Sequence, residues 1–399
     1  MKVGMVSIYP TSESKHAKVS GVASYTKNLV TSLLNNCDVA VFADRISHTN
    51  EKYHEGAMVY RCWSKGVLYP FQIFKKLLSI AIDIVHVQHE TYLYGGLDSA
   101  LVFPLLLALI RLLRKPVILT LHGVIPLSRV NRSFLKENWI NGNSFAMKVG
   151  STSLVKIIVS LSTAIIVHEE PLKEILIKEY KCSASKIHII HHGIEERNDL
   201  IKKNEAKEKL GLSGKKVILF FGYITGYKNV ELLIDSAKFL KVPEWVMLIA
   251  GGAHPRLNYD LGYLRYLSDL RRKASAISNE RILFKGFVSE EEISLYFSAA
   301  DLVVFPHNIY ISSSGPLSLT VSYGKPFLVA NSFRATVDFD DIVFGNDPKE
   351  LASKIDFFFR DASFSLRILE YSKDFKDKRL WSRISLQTYE LYKKVALID

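Results

Sequence analysis

LVVFPHNIYISSSGPLSLTVSYGKPFLVA, residues 302–330, is the stretch on which the reading of this chain turns. An apolar run of strand length, Leu302–Phe305, leads through a loop and a serine-glycine turn into a short helix. A second apolar run, Phe327–Ala330, follows. Pro316 suits the first helical position, where its missing N–H costs nothing, and Ser314 or Gly315 would cap. Gly324 followed by Lys325-Pro326 ends the helix. Ser312, Ser313, Ser314 and Gly315 would set small side chains and free backbone N–H groups at a helix N-terminus, an arrangement that binds a phosphate. An ordinary capped helix is the competing reading of the same residues.

The pattern extends in both directions. Val3–Ile8, Val39–Ala43, Ile84–Gln88, Val117–Leu121 and Ala164–Val167 are apolar, β-branched runs of buried-strand length. Gly21–Leu34, Leu97–Leu113 and Glu170–Tyr180 fit as helices between them. After a charged interval, Glu195–Lys216, the alternation restarts with Val217–Phe221, Trp245–Ala250 and Ile282–Lys285, ahead of the opening stretch. Helices are expected at Asn229–Leu240, Tyr259–Ile277, Glu290–Ala299 and Pro316–Tyr323, and a final amphipathic one at Arg379–Val395. Continuous rather than alternating hydrophobicity implies sheets covered on both faces, hence parallel strands. The expected fold is therefore α/β, with two doubly wound Rossmann-like domains facing each other. Residues 1–195 form the first, 196–213 a linker, 214–376 the second, and 377–399 a C-terminal helix.

Composition agrees. A chain of 399 residues is too long for one ordinary core, and 48% apolar with 23% charged residues excludes a disordered chain. Cys37, Cys62 and Cys182 have no paired spacing, which argues against a disulfide scaffold and fits a reducing cytoplasm. The opening residues MKVGMVSIYP begin a strand, without the pattern of a signal peptide. Residues 100–116, ALVFPLLLALIRLLRKP, are interrupted by Pro104 and Arg111 and fall short of a membrane span. They read as a helix of a soluble domain; Arg111, Arg114 and Lys115 at its end add a secondary reading, peripheral contact with an anionic membrane. The net charge of +12 is scattered, with no finger, aromatic RNA-binding strand or basic helix, so nucleic acid is not an expected partner.

Ligands of open α/β sheets bind beyond the carboxyl ends of the strands. In the first half that filter selects Ser20 and Gly21, in the loop after the first strand, and His122 in LTLHGVIP. A histidine there can donate to a sugar hydroxyl. His86, His89 and Glu90 also follow a strand, but no complete ligand set is evident, so metal is not expected. The His191-His192 pair reads as a packing element of the crossover. In the second half the filter selects Gly222, Lys228 in GYITGYKNVELLI, Gly251-Gly252 and Gly286-Phe287-Val288. A lysine at a helix start is well placed to meet a diphosphate.

Taken in order, VSGVASYTKNL, TLHGVIP, AIIVHEEPLKEIL, KIHIIHHGI, FFGYITGYKNVELLI, RILFKGFVSEEEISLYFSAADLVVFP and YGKPFLVA resemble a retaining family 4 glycosyltransferase of the GT-B type, over nearly the whole chain. The resemblance implies a UDP- or GDP-linked sugar donor held by the second domain and an acceptor site in the first. It also implies catalysis on cleft closure without a metal or other cofactor, and a C-terminal helix returning to the first domain. The implied acceptor is a glycan or lipid-linked glycan, and the implied place of action is the cytoplasm or the inner face of the membrane. Lys228 matches the donor-phosphate lysine, Gly21 the glycine loop near the diphosphate, His122 the active-site histidine, and Phe287 and Val288 the loop at the base. Ser313, Ser314, Gly315 and Pro316 form the turn of a branch in which a serine-rich SxSG replaces the usual glutamates. Two departures stand out. The paired glutamates correspond to Ile311 and Leu319, and the arginine that usually precedes the lysine is missing. A catalytically impaired nucleotide-sugar-binding protein and a sugar-nucleotide epimerase are the alternatives.

Overall fold

A computed structural model describes residues 1–11, 21–46, 53–54, 56–131, 143–197, 199–309 and 314–397. The chain divides into two compact units, Met1–Gly193 with Trp381–Asp399, and Ile194–Leu380.

Among its described residues the first unit has eight strands: β1 (Lys2–Val6), β2 (Asp38–Asp44), β3 (Tyr53–His54), β4 (Ala57–Trp63), β5 (Ile84–His89), β6 (Val117–Leu121), β7 (Ala164–Val167) and β8 (Ile187–Ile189). They lie in the order β3-β4-β2-β1-β5-β6-β7-β8, parallel throughout except for the β3–β4 pair. The second unit carries β9 (Lys216–Phe221), β10 (Trp245–Ala250), β11 (Ile282–Phe284), β12 (Leu302–Phe305), β13 (Phe327–Ala330) and β14 (Val343–Phe344). Their order, β11-β10-β9-β12-β13-β14, is that of a doubly wound nucleotide-binding sheet whose direction reverses between β9 and β12. The central strands are buried on both faces: every residue of β6, β7, β10, β12 and β13 is in the core, as their unbroken apolar runs require.

Among the described residues the helices are α1 (Gly21–Leu33), α2 (Tyr69–Leu77), α3 (Leu97–Leu101), α4 (Phe103–Leu112), α5 (Ser144–Leu161), α6 (Glu170–Lys178), α7 (Lys203–Lys209), α8 (Val230–Ser236), α9 (Leu261–Ile277), α10 (Ile293–Ala299), α11 (Gly315–Ser322), α12 (Pro348–Arg360), α13 (Ala362–Arg379) and α14 (Trp381–Ala396). The helix expected at Leu97–Leu113 is two: Pro104 lacks the N–H an uninterrupted helix would need, and instead sits in the first turn of α4. The strand β4 escapes pattern reading because Arg61 interrupts it. That side chain is tucked in, donating to the carbonyls of Tyr9 (2.7 Å) and Pro10 (2.8 Å).

Residues 196–213, expected as a linker, belong to the second unit. Within them α7 is tied down by Lys207, whose Nζ donates to Asp301 Oδ2 and to the Lys215 carbonyl, both at 2.6 Å. Few apolar residues made this segment look like a connector, but those it has, Ala206 and Leu212, are buried, and the Lys207 ion pair adds to them. At the other end α13 stays with the second unit and α14 joins the first. There a Cβ on Gly193 would lie 2.2 Å from the Trp381 ring, Ser32 Oγ donates to the Trp381 carbonyl at 3.0 Å, and the Tyr392 hydroxyl meets His86 Nδ1 at 2.6 Å.

Candidate functional site

The second unit gathers most of the expected site residues at its switch point. β9 ends at Phe221, and Gly222 follows with φ of +114°, a conformation that excludes side-chain-bearing residues. The neighbouring strand end comes very close: a Cβ on Gly251 would meet the Gly222 carbonyl oxygen at 2.0 Å. The loop then turns back through a short 3-10 segment, Gly226–Lys228, and Asn229 takes a left-handed conformation (φ 49°) to start α8. This turn folds Lys228 under Gly222. A Cβ on Gly222 would lie 2.6 Å from Lys228 Nζ and 3.2 Å from Pro316 Cγ. Gly222 and Lys228, and Pro316 some 90 residues further along, therefore converge on one spot. Asn308 N donates to the Tyr227 carbonyl at 2.9 Å, joining the loops after β9 and β12.

Lys228 is only 7% exposed, and burial brings its ammonium down to about 8. Among the described residues no carboxylate or hydrogen-bond acceptor engages its Nζ. Two neighbours on the same loops are also unsatisfied: Thr225 Oγ1 and His307 Nδ1 are buried without a partner among the described residues. His307 is pushed down to about 3, first by burial and then by the charge of Lys228. Buried polar groups are nearly always hydrogen-bonded, so an ammonium, a hydroxyl and an imidazole left open together mark a place for an anion. His307 was missed in the sequence because nothing in PHNI distinguishes it from a turn histidine.

Helix α11 points its N-terminus at this region. Ser314 caps it, accepting from Leu317 N at 3.3 Å, and the helix begins at Gly315, one residue earlier than expected, with Pro316 still in the first turn. The Ser314 hydroxyl is thus spent on the cap, and Gly315 retains an N–H without an intrahelical acceptor. Ser20, Ile311 and Ser313 lie outside the described residues. Leu319 is half-buried against the apolar core of the unit. Phe287 is exposed and stacks on Tyr223 with centroids 6.3 Å apart, while His254 meets Tyr223 edge-on at 5.4 Å. Val288 is a core residue, so only its backbone is available to a ligand.

Gly21 and His122 belong to the first unit. Gly21 opens α1 with no atom within 4 Å of where a Cβ would stand, so sterics place no demand on it. His122 follows β6 and is held edge-on to Tyr25 at 4.7 Å. Its Nε2 lies 2.9 Å from the Gln88 amide and its Nδ1 3.2 Å from His168 Nε2, whose Nδ1 in turn lies 2.9 Å from the Ile190 carbonyl. A carbonyl only accepts, so His168 Nδ1 carries the proton. Burial pushes His168 down to about 3 and His122 well below its ordinary value, so both rings are neutral. His168 Nε2 then accepts from His122 Nδ1–H, and His122 Nε2 is satisfied when the Gln88 amide, whose Oε1 lies at 2.9 Å, is turned to present its NH2. An amide's two ends exchange by rotation, which makes this orientation a matter of proton counting. Both ring nitrogens of His122 are thereby engaged within the unit. His86 is committed to Tyr392 and Thr120, not to a metal-ligand set, and among the described residues no cluster of metal-ligating side chains is present.

Residues 19–197 match the family model described as Glycosyltransferase Family 4, and residues 202–375 the model described as Glycosyl transferases group 1. An uncharacterized glycosyltransferase of Methanocaldococcus jannaschii is 25% identical over 58% of this chain and 60% of its own length. A mannosylfructose-phosphate synthase of Agrobacterium fabrum is 24% identical over 45% and 44%. The matched region thus spans about half the length of these curated relatives. Among solved structures, sucrose-phosphate synthase from Thermosynechococcus elongatus aligns with a TM-score of 0.69 at 16% identity, over 100% of both chains. HepE of Anabaena in complex with UDP aligns with a TM-score of 0.70 at 16% identity, over 99% of this chain and 100% of that one.

Proposed function

We propose, for a chain that belongs to the family 4-like glycosyltransferases of GT-B fold, that it moves a hexose from a UDP- or GDP-linked donor to a hydroxyl of a glycan or lipid-linked glycan, with retention and without a metal ion. The observation that carries this reading is the buried, unpaired ammonium of Lys228 beneath Gly222, beside the N-terminus of α11.

As the glycosidic bond breaks, negative charge grows on the leaving diphosphate. A cation and N–H groups already fixed around that position stabilise the charge without reorganising, and this is where a protein lowers such a barrier most. Lys228 supplies the charge, Gly315 an N–H, and Gly222 a backbone with no side chain to hold the phosphate away. The exposed Tyr223 and Phe287 rings offer a face for the donor's base. His122, oriented by His168, holds the sugar when a hydroxyl replaces Gln88 at its Nε2. The UDP bound to the HepE relative supports a uridine donor.

Leu319 favours a second reading. An apolar side chain half-buried where a carboxylate is usual leaves a protein that can bind the donor without turning it over. The test is a screen of the purified protein against UDP- and GDP-sugars for thermal stabilisation, since a ligand of the folded state raises stability by mass action. The stabilising donor is then assayed for transfer and hydrolysis. Stabilisation with turnover is expected; stabilisation without either reaction leaves the binding-protein reading, and no stabilisation by any nucleotide overturns both.

A further inference from the structure

The first unit contains a cavity of about 310 Å³ that the donor chemistry does not use. It lies beside the ends of β5 and β6, with His89, Leu121 and Gly123 in its wall, so it adjoins His122 at the acceptor-side edge of the sheet. The opposite wall is α5, which contributes Met147, Leu154 and Ile158. Its size falls at the lower end of small-molecule sites, roughly 300–1,000 Å³. Its lining is mostly aliphatic and aromatic, with Thr91, Ser151 and His89, whose buried Nδ1 has no partner among the described residues, as the polar exceptions, so it suits a hydrocarbon chain better than a sugar.

The mouth is apolar too. Leu97 and Leu101 of α3 belong both to the lining and to the surface, and Leu101 is 69% exposed. The helix α5 has mean hydropathy 1.3, yet only 11% of it is buried. One side lines the cavity, while Phe145 (73% exposed), Val149 and Ile157 are turned to solvent. Exposed apolar surface continuous with an apolar cavity is what a chain entering from a bilayer requires. Basic residues stand beside it: Arg129 and Lys148 are next in sequence to the lining residues Val130 and Met147.

We propose that this cavity holds the alkyl or polyprenyl chain of a membrane-borne acceptor whose glycan is linked through phosphate, with the α3 and α5 surfaces resting on the bilayer. This rests on the transferase reading for the identity of the head, but the chain site itself is testable without it.

The experiment measures binding of butyl, hexyl, octyl and decyl phosphate to the full chain, each below its micelle concentration. The expected result is an affinity rising roughly fourfold per added methylene until the cavity is full. Leu154→Trp fills the cavity from α5 and should flatten that dependence while leaving thermal stabilisation by UDP unchanged. Should the tryptophan disturb folding, Leu101→Asp on the exposed rim gives the same test at a tolerant position. Affinity independent of chain length, or a chain-length dependence identical in wild type and variants, overturns the proposal. Transfer to a chain-free glycan as efficient as to its decyl glycoside would also overturn it while keeping the transferase. Chain-dependent binding with no transfer to either acceptor would keep the cavity assignment and remove the transferase.

Discussion

Replacing Lys228 by methionine separates a group kept for binding from one kept for folding. The ammonium is 7% exposed and titrates at about 8, against an ordinary 10.5, with burial as the cause. At about 1.4 kcal/mol per pH unit, holding that charge in the unliganded protein costs roughly 3 kcal/mol. Methionine is unbranched, only one atom shorter, and needs no partner, so Lys228→Met should raise the stability of the second unit at pH 7 by about 1–3 kcal/mol. The upper bound is the whole desolvation cost. The sign of the pH dependence is fixed. Between pH 8 and 10.5 the unfolded chain keeps the lysine proton that the folded chain has released, so wild-type stability rises with pH through that window. The advantage of the variant is therefore full below pH 8 and gone above 10.5. Urea unfolding at pH 7 and at pH 10, each with and without UDP, measures both effects. UDP should stabilise the wild type strongly at pH 7, less at pH 10, and the variant hardly at all. A variant less stable than wild type at pH 7, or one that UDP stabilises equally, would refute the reasoning, because Lys228 would then be a structural cation with a partner.

Gly222→Ala forces a side chain into a backbone at φ +114° and against Lys228 Nζ and Pro316. It should cost about 1–3 kcal/mol and remove nucleotide binding, read by thermal melting with and without UDP. Gly193→Ala drives a methyl into the Trp381 ring. A loss of about 1–3 kcal/mol is expected by denaturant unfolding of the full chain, with nucleotide stabilisation retained, since the second unit is untouched. His307 is held at about 3 partly by the charge of Lys228. Neutralising that charge with bound UDP should move the imidazole upward, whereas His168, in the other unit, should not move; histidine-selective nuclear magnetic resonance titration reads both.

Most of the sheet was legible because parallel strands buried on two faces leave an unbroken apolar signature. Val117–Leu121, Ala164–Val167, Trp245–Ala250, Leu302–Phe305 and Phe327–Ala330 are bounded as the pattern predicts. What the pattern hid was held by polar contacts. The strand around Arg61 is secured by a guanidinium on two carbonyls, and α7 is held in part by a lysine on Asp301. Neither contact has a period. The site divides in the same way. Glycine followed by lysine after a strand is visible locally, but the convergence of Gly222, Lys228 and Pro316 depends on β12 lying beside β9 in the sheet. His168 reads as the end of a strand until Ile190 and His122 are seen on either side of it.

Two clusters of buried polar groups, one in each unit, are satisfied differently, and the contrast between them bears on function. In the first, His86, Gln88, His122 and His168 form a chain in which each ring nitrogen has a partner, from the Tyr392 hydroxyl to the Ile190 carbonyl. Such a network is complete without a ligand: it fixes orientation and, through Tyr392, secures α14 to the sheet. In the second, Lys228, Thr225 and His307 are buried and open together within loops that Gly222 and Gly251 allow to crowd. Each open group carries a desolvation penalty of about 1–3 kcal/mol that folding alone does not recover. A fold keeps such a cost where binding returns it, and the return is largest for a ligand that is anionic and rich in acceptors. The first unit's histidines therefore indicate orientation and the second unit's orphans indicate the donor. The cavity beside His122, mostly apolar apart from His89, is left for the part of the acceptor that is not sugar.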